Sequence, residues 1–149
     1  MSEPVARRPS VSGYGIPDDP EGMLPWSWAD ERLAAAHNYW VATGGPHASP
    51  VWGLWRDTRF LFSCGAESRM ARELARDPHL VVHLESGDEV VIVDGVAEPV
   101  AATEQDVEEY RVKYAYRPDP GEGWYRVAPR RVLAWREQDY PRSATRFDF

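Results

Sequence analysis

Phe60-Leu61-Phe62-Ser63-Cys64-Gly65-Ala66-Glu67-Ser68-Arg69-Met70-Ala71-Arg72-Glu73-Leu74-Ala75-Arg76-Asp77-Pro78 is the stretch around which the chain is organised. Its apolar start reads as a short strand and Gly65 as a turn. Ser68 reads as a helix N-cap, because a serine oxygen can accept one of the orphan N–H groups of a first helical turn. Pro78 stops that helix. Arg69 and Arg72 stand at the helix start, with Arg76 one turn on. Arginine there has the wrong sign for the helix dipole, which Glu67 only partly offsets. Free N–H groups beside guanidinium groups do, however, make a seat for a phosphate. The alternative is a solvated, charged helix face, where arginine is common.

Upstream, residues 1–25 are rich in Pro, Gly, Ser and Asp and show neither a helical nor a strand period, as expected of a flexible or draped arm. Residues 26–149 are expected to form one domain. Ser27 before Trp28-Ala29-Asp30, with Trp28, Leu33, Ala36 and Trp40 in a rough helical stripe, predicts a helix over Trp28 to His37. The period then changes to two. Tyr39 to Thr43, Ala48 to Trp55 and Arg59 to Ser63, separated by turns, predict a three-strand antiparallel meander.

Downstream, His79 to Glu85 and Glu89 to Val100 predict two more strands. The Val90-Val91-Ile92-Val93 run is apolar on both faces, as in a central or interface strand. Thr103 with Asp106 has capping-box spacing and predicts a helix to about Tyr116. Trp124 to Trp135 predicts a last long strand that Pro129 interrupts or places at an edge. Six mainly antiparallel strands broken by three helices imply a mainly β fold, a small closed or partly closed barrel with helices at its rim.

A chain of 149 residues, 43% hydrophobic, can bury the core of one domain. A net charge of −7 argues against nucleic acid or an anionic membrane as the main partner. No apolar run is long enough for a membrane span, no leader segment is evident and Cys64 is alone, so a reducing, cytoplasmic setting is expected. With Lys113 the only lysine, phosphate contacts would fall to arginine.

Sequence signals for other chemistries are weak. His79 and His83 fall on a strand, where four residues span roughly 13 Å, too far to share one metal ion. No metal site is expected. Cys64 has no base beside it in sequence and reads as packing. Motifs of serine hydrolases, P-loop enzymes and dinucleotide-binding folds do not occur. In Val51-Trp52-Gly53-Leu54-Trp55, alternation puts Trp52 and Leu54 on one face and Gly53 and Trp55 on the other. Core packing accounts for at least one tryptophan, while Gly53 could leave room for a flat ligand against the backbone.

Taken together, Pro50-Val51-Trp52-Gly53-Leu54-Trp55, Ser63 through Leu74 with Asp77-Pro78, Val81 through Gly95, Arg130 through Trp135 and Arg142 through Phe147 resemble, in this order, the pyridoxamine 5'-phosphate oxidase-like split-barrel superfamily. The chain looks most like its flavin/deazaflavin-dependent oxidoreductases. The resemblance runs from about Trp28 to Phe149. It implies a homodimer of six-stranded antiparallel split β-barrels with FMN or coenzyme F420 in grooves at the interface. It implies hydride transfer to a small organic substrate; the alternative is a non-catalytic flavin, deazaflavin or haem-binding carrier, and a third reading is a structural relative without a ligand. By the same resemblance Ser63, Ser68, Arg69 and Arg72 would meet the phosphate, Val51 and Trp52 the ring, and Arg142 and Arg146 would close the site. Many relatives have lysine where this chain has Met70, which cannot hold phosphate.

Overall fold

The computed structural model describes residues 3–121 and 123–149. In chain order the elements are β1 (Val5–Arg7), α1 (Trp26–Ala35), β2 (Tyr39–Thr43), β3 (His47–Val51), β4 (Gly53–Arg56), β5 (Arg59–Ser63) and α2 (Arg69–Arg76). They continue with β6 (His79–His83), β7 (Glu89–Val100), α3 (Glu104–Tyr114), β8 (Trp124–Arg136), a 3-10 turn, α4 (Tyr140–Ser143) and β9 (Thr145–Asp148). Every strand pairing is antiparallel. The fold is the expected mainly β, antiparallel split barrel with peripheral helices.

Among the described residues the strand count is nine rather than six. The strand expected from Ala48 to Trp55 breaks at Trp52: β3 stays on β2, while β4 turns onto β5. The expected meander is therefore two hairpins with a split between them, since β3 pairs only with β2 and β5 goes on to pair with β8. The short strands β1 and β9 account for the rest; β1 pairs with β9, and β9 with the second half of β8. Thus the arm over residues 1–25 contributes a strand of its own.

The long strands β7 and β8 hold both halves together. The first residues of β8, Trp124–Val127, pair with β5, and Arg131–Ala134 pair with β9. Between these stretches the register against β7 shifts, with Asp94 opposite Arg131 and Gly95 opposite Pro129. Pro129 thus sits opposite Gly95 beside a bulge at Arg130, a place in a strand where proline is tolerated.

Helix α1 begins at Trp26, two residues ahead of the expected start, with Pro25 at its N-cap and no side-chain cap from Ser27. Trp26, Ala29 and Leu33 give the stripe that faces the core, and this burial sets the start. Helices α2 and α3 begin as the capping residues predict. Ser68 Oγ accepts the Ala71 N–H at 3.2 Å, and Thr103 and Asp106 form a complete capping box. The main core fills the barrel with Tyr39, Val41, Phe60, Phe62, Val82, Val93, Val127 and Phe147 among others. A second cluster of Leu54, Leu61, Tyr110, Tyr114 and Trp124 joins α3 to the sheet.

Candidate functional site

Val51 and Trp52 stand at the break between the two hairpins, Ser63 ends β5, and Ser68, Arg69 and Arg72 stand at the start of α2. On one side β3 is an end strand. Pro50 has no N–H to give to β2, so it fits a non-hydrogen-bonded pair with Trp40, and the alternation turns the polar backbone groups of Ala48 and the Pro50 carbonyl toward the open edge. Across the split, β5 ends at Ser63 and the chain turns through Gly65 into α2. The turn is fixed from below: Cys64 donates its N–H to the Gly123 carbonyl at 2.9 Å. Gly123 holds φ +93, and a Cβ there would run into the Cys64 carbonyl.

Arg69 and Arg72 are exposed at the start of α2. Arg69 Nη2 donates to the Pro46 carbonyl at 3.0 Å, and Arg72 Nη1 to the Glu67 carbonyl at 2.7 Å. Each guanidinium is thereby aimed while keeping donors free. Glu73, only 5% exposed, locks α2 to the β2–β3 turn: it accepts from Thr43 Oγ1 at 2.5 Å, and its carboxyl fills the notch left by Gly45. The Arg69 Nε lies 3.7 Å from Glu73. This lock, which nothing in the sequence signalled, holds α2 against the hairpin that carries β3.

Met70 does not face this groove. It is 4% exposed within the main core, so the methionine is a packing residue at this position.

Val51 is half-buried against the core at the end of β3, and Trp52 is 39% exposed at the break. The indole of Trp52 stacks on the Tyr114 ring with centroids 4.6 Å apart and 9° between planes, while Trp55 enters the core and donates to Asp30 Oδ1 at 2.8 Å. Gly53 leaves no room for a ligand: a Cβ there would lie 2.5 Å from the Phe60 ring and 2.7 Å from the Leu61 carbonyl. That space is already filled from inside.

Sequence reading also missed Lys113. Its Nζ donates to Tyr39 Oη at 2.9 Å and to the Gly53 carbonyl at 3.0 Å, and lies over the rings of Tyr39 and Tyr114. Burial pulls this ammonium down to about 8 and pushes the Tyr39 phenol up. Tyr114 accepts the Gly53 N–H at 2.9 Å, so the backbone at the break is held by α3. A lysine in a helical segment carries no mark of this role in sequence.

The remaining predicted residues lie elsewhere. Arg142 pairs with Asp19 at 3.1 Å and Arg146 with Asp148 at 2.7 Å, both within the chain. His79 is paired with Asp77, and His83 Nδ1 lies 2.8 Å from the Leu84 carbonyl. Among the described residues no three potential metal ligands cluster. Clefts of about 500 and 320 Å³ meet at Asp57, Arg59 and Arg126 beside β5 and β8. Arg126 is paired there with Glu98, and Arg56 with Asp106 and Glu109. No helix among the described residues is long and apolar enough to cross a membrane.

A family model described as pyridoxamine 5'-phosphate oxidase matches residues 29–136. No curated protein matches. Among solved structures, an FAD binding protein from Mycobacterium smegmatis is 19% identical, with 85% of this chain and 98% of that one covered and a TM-score of 0.55. A structure described as F420 reductase is 15% identical over 68% of this chain and 94% of that one, TM-score 0.53. A heme binding protein from Mycobacterium smegmatis is 18% identical over 80% and 62%, TM-score 0.59. At these identities the likeness is one of fold.

Proposed function

Because the chain belongs to the pyridoxamine 5'-phosphate oxidase family, we propose that it is an oxidoreductase that uses FMN or coenzyme F420, bound in the split, on a small organic substrate. The observation that carries this reading is the pairing of an open strand edge, β3, with a capped helix start whose Arg69 and Arg72 are aimed by backbone carbonyls. Ser63, Ser68, Arg69 and Arg72 would hold the phosphate, and Val51 and Trp52 would contact the ring system. When bound, either group supplies hydride transfer. The chain's own part is to bind, orient and shield, with Glu73 fixing Arg69 and Lys113 fixing the backbone beside Trp52.

The proposed assembly is a homodimer, supported by the unpaired edge of β3 and by Val90 and Ile92, which are only half-buried on β7 in the single chain. Light scattering should then give about 34 kDa, twice the chain mass of 16.9 kDa. Closure of the partner's groove by Arg142 and Arg146 belongs to the same proposal; Arg142 would have to leave Asp19 to take part.

Separate titrations with FMN and coenzyme F420, followed by ligand fluorescence, test the reading. Tight binding of one of them is expected. Arg72→Ala should weaken it by about 1–3 kcal/mol, the worth of a charge-assisted contact. An unchanged dissociation constant removes Arg72 from the site, and binding of neither compound withdraws the assignment. A non-catalytic carrier of flavin, deazaflavin or haem is the second reading, and Met70, a core residue in place of the lysine that the resemblance expects, belongs to the third, a structural relative without a ligand. Binding without oxidation of reduced cofactor by any enone or quinone would select the carrier.

A further inference from the structure

A cleft of about 380 Å³ lies near the far end of β8, lined by Val11, Tyr14, Trp135, Glu137 and Tyr140. Trp135 is eleven residues along β8 from Trp124, the partner of Ser63, roughly 35 Å of extended strand. Within one chain the cleft is therefore apart from the groove between β3 and α2.

Three of its walls are aromatic. The ring of Tyr140 meets that of Trp135 at 84° with centroids 5.4 Å apart, and that of Tyr14 at 76° and 6.1 Å. In both contacts the edge of one ring meets the face of the other, so a ring covered on one side keeps its second face. The indole N–H of Trp135 is the one buried side-chain polar atom without a hydrogen-bond partner among the described residues. Glu137 also lines a neighbouring cleft with Asp88, Glu89, Arg136 and Gln138. Arg136 is paired there with Asp139, and Glu89 with Arg32. Asp88 and Glu137 have no ion-pair partner among the described residues, so negative charge is left over beside the aromatic walls.

We propose that Val11, Tyr14, Trp135, Glu137 and Tyr140 form a binding site for a quaternary ammonium group. Aromatic faces carry the negative end of a quadrupole and attract cations, most effectively cations that are weakly hydrated. A methylated ammonium fits this description, and Glu137 adds attraction without the short, multiple ligation that a metal ion needs. The net charge of −7 acts in the same direction. This site stands independently of the cofactor assignment.

Choline and its uncharged isostere 3,3-dimethylbutan-1-ol separate cation recognition from apolar binding. Both are titrated into the full chain labelled with ¹⁵N, and the Trp135 indole resonance is identified by its loss in Trp135→Phe. Choline should shift that resonance saturably, and the isostere should bind about tenfold more weakly, the order expected of a cation–π site. Tyr14 is exposed on the N-terminal arm, so its replacement leaves the core intact. Tyr14→Ala should weaken choline binding roughly tenfold and Tyr14→Phe should leave it within about twofold, since phenylalanine keeps the ring face. Equal affinity for choline and the isostere, an unmoved Trp135 resonance at millimolar choline, or no effect of Tyr14→Ala would each overturn the proposal.

Discussion

Lys113 shows how much a single side chain can carry without a sequence signature. It is held by Tyr39 and the Gly53 carbonyl, with aromatic rings on two sides and no carboxylate partner among the described residues. Burial lowers its pKa to about 8. From about pH 8 to 10 the unfolded chain therefore keeps a proton that the folded chain has lost, and the lysine's contribution to stability rises with pH over that window. Below about pH 8 the cost of the buried charge is fully present. Above pH 10 the raised phenol of Tyr39 acts in the opposite direction, but it does so in any Lys113 variant too. Melting temperatures of the natural protein and of Lys113→Met at pH 7.5 and 9.5 check this: the natural protein should gain on the variant as pH rises. A pH-independent gap would show that the ammonium is solvated. Residues whose role is local were legible beforehand, Ser68 and the Thr103–Asp106 pair above all, because a cap depends on neighbours three residues away. Gly53, Met70 and Lys113 were not, since each is defined by a residue distant in sequence: Phe60, the barrel core, and Tyr39.

Strands and helices followed their patterns where the pattern was long. Both β7 and β8, twelve and thirteen residues long, were readable because each carries an apolar run, the β-branched Val90 to Val93 in the one and Val132 to Trp135 in the other. The break at Trp52 was not, because only the choice of partner, β2 for one half and β5 for the other, divides Ala48 to Trp55. The four residues of β9 were too few to show a period. What keeps the two hairpins in place relative to α2 is the buried Glu73, and its removal should be felt at this scale. Glu73→Ala leaves the Thr43 hydroxyl only the longer contact to the His47 carbonyl at 3.5 Å and removes the carboxylate beside Arg69, and should destabilise the protein by about 1–3 kcal/mol. Glu73→Gln, which keeps an acceptor, should cost less. Chemical denaturation of the two variants decides the order; equal stability of Glu73→Ala and the natural protein would show that the lock does not hold the hairpin.

At the scale of the molecule, one guanidinium gathers the N-terminal arm and the C-terminal segment, which also pair as β1 and β9. Arg8 donates to four carbonyls, those of Asp19 at 2.9 Å, Glu21 at 2.8 Å, Arg142 at 2.7 Å and Ala144 at 2.8 Å. Leu24 adds its N–H to Thr145 Oγ1 at 2.9 Å, and Arg142 returns to Asp19. The planar fork of arginine can serve several acceptors at once in a way that a lysine ammonium on a flexible stem cannot. Composition suggested only a flexible or draped arm, because a strap made of one side chain and backbone carbonyls has no periodicity to detect. Arg8→Lys should therefore behave much like Arg8→Ala. Both should raise amide exchange in β1 and β9 and lower the melting temperature by a few degrees, about what 1 kcal/mol is worth in a chain of this size. Exchange in β6 and β7, which lie on the other side of β8 from β9, should be unchanged. If exchange instead rises evenly through the sheet, the arm is part of the cooperative core and not a strap laid over it.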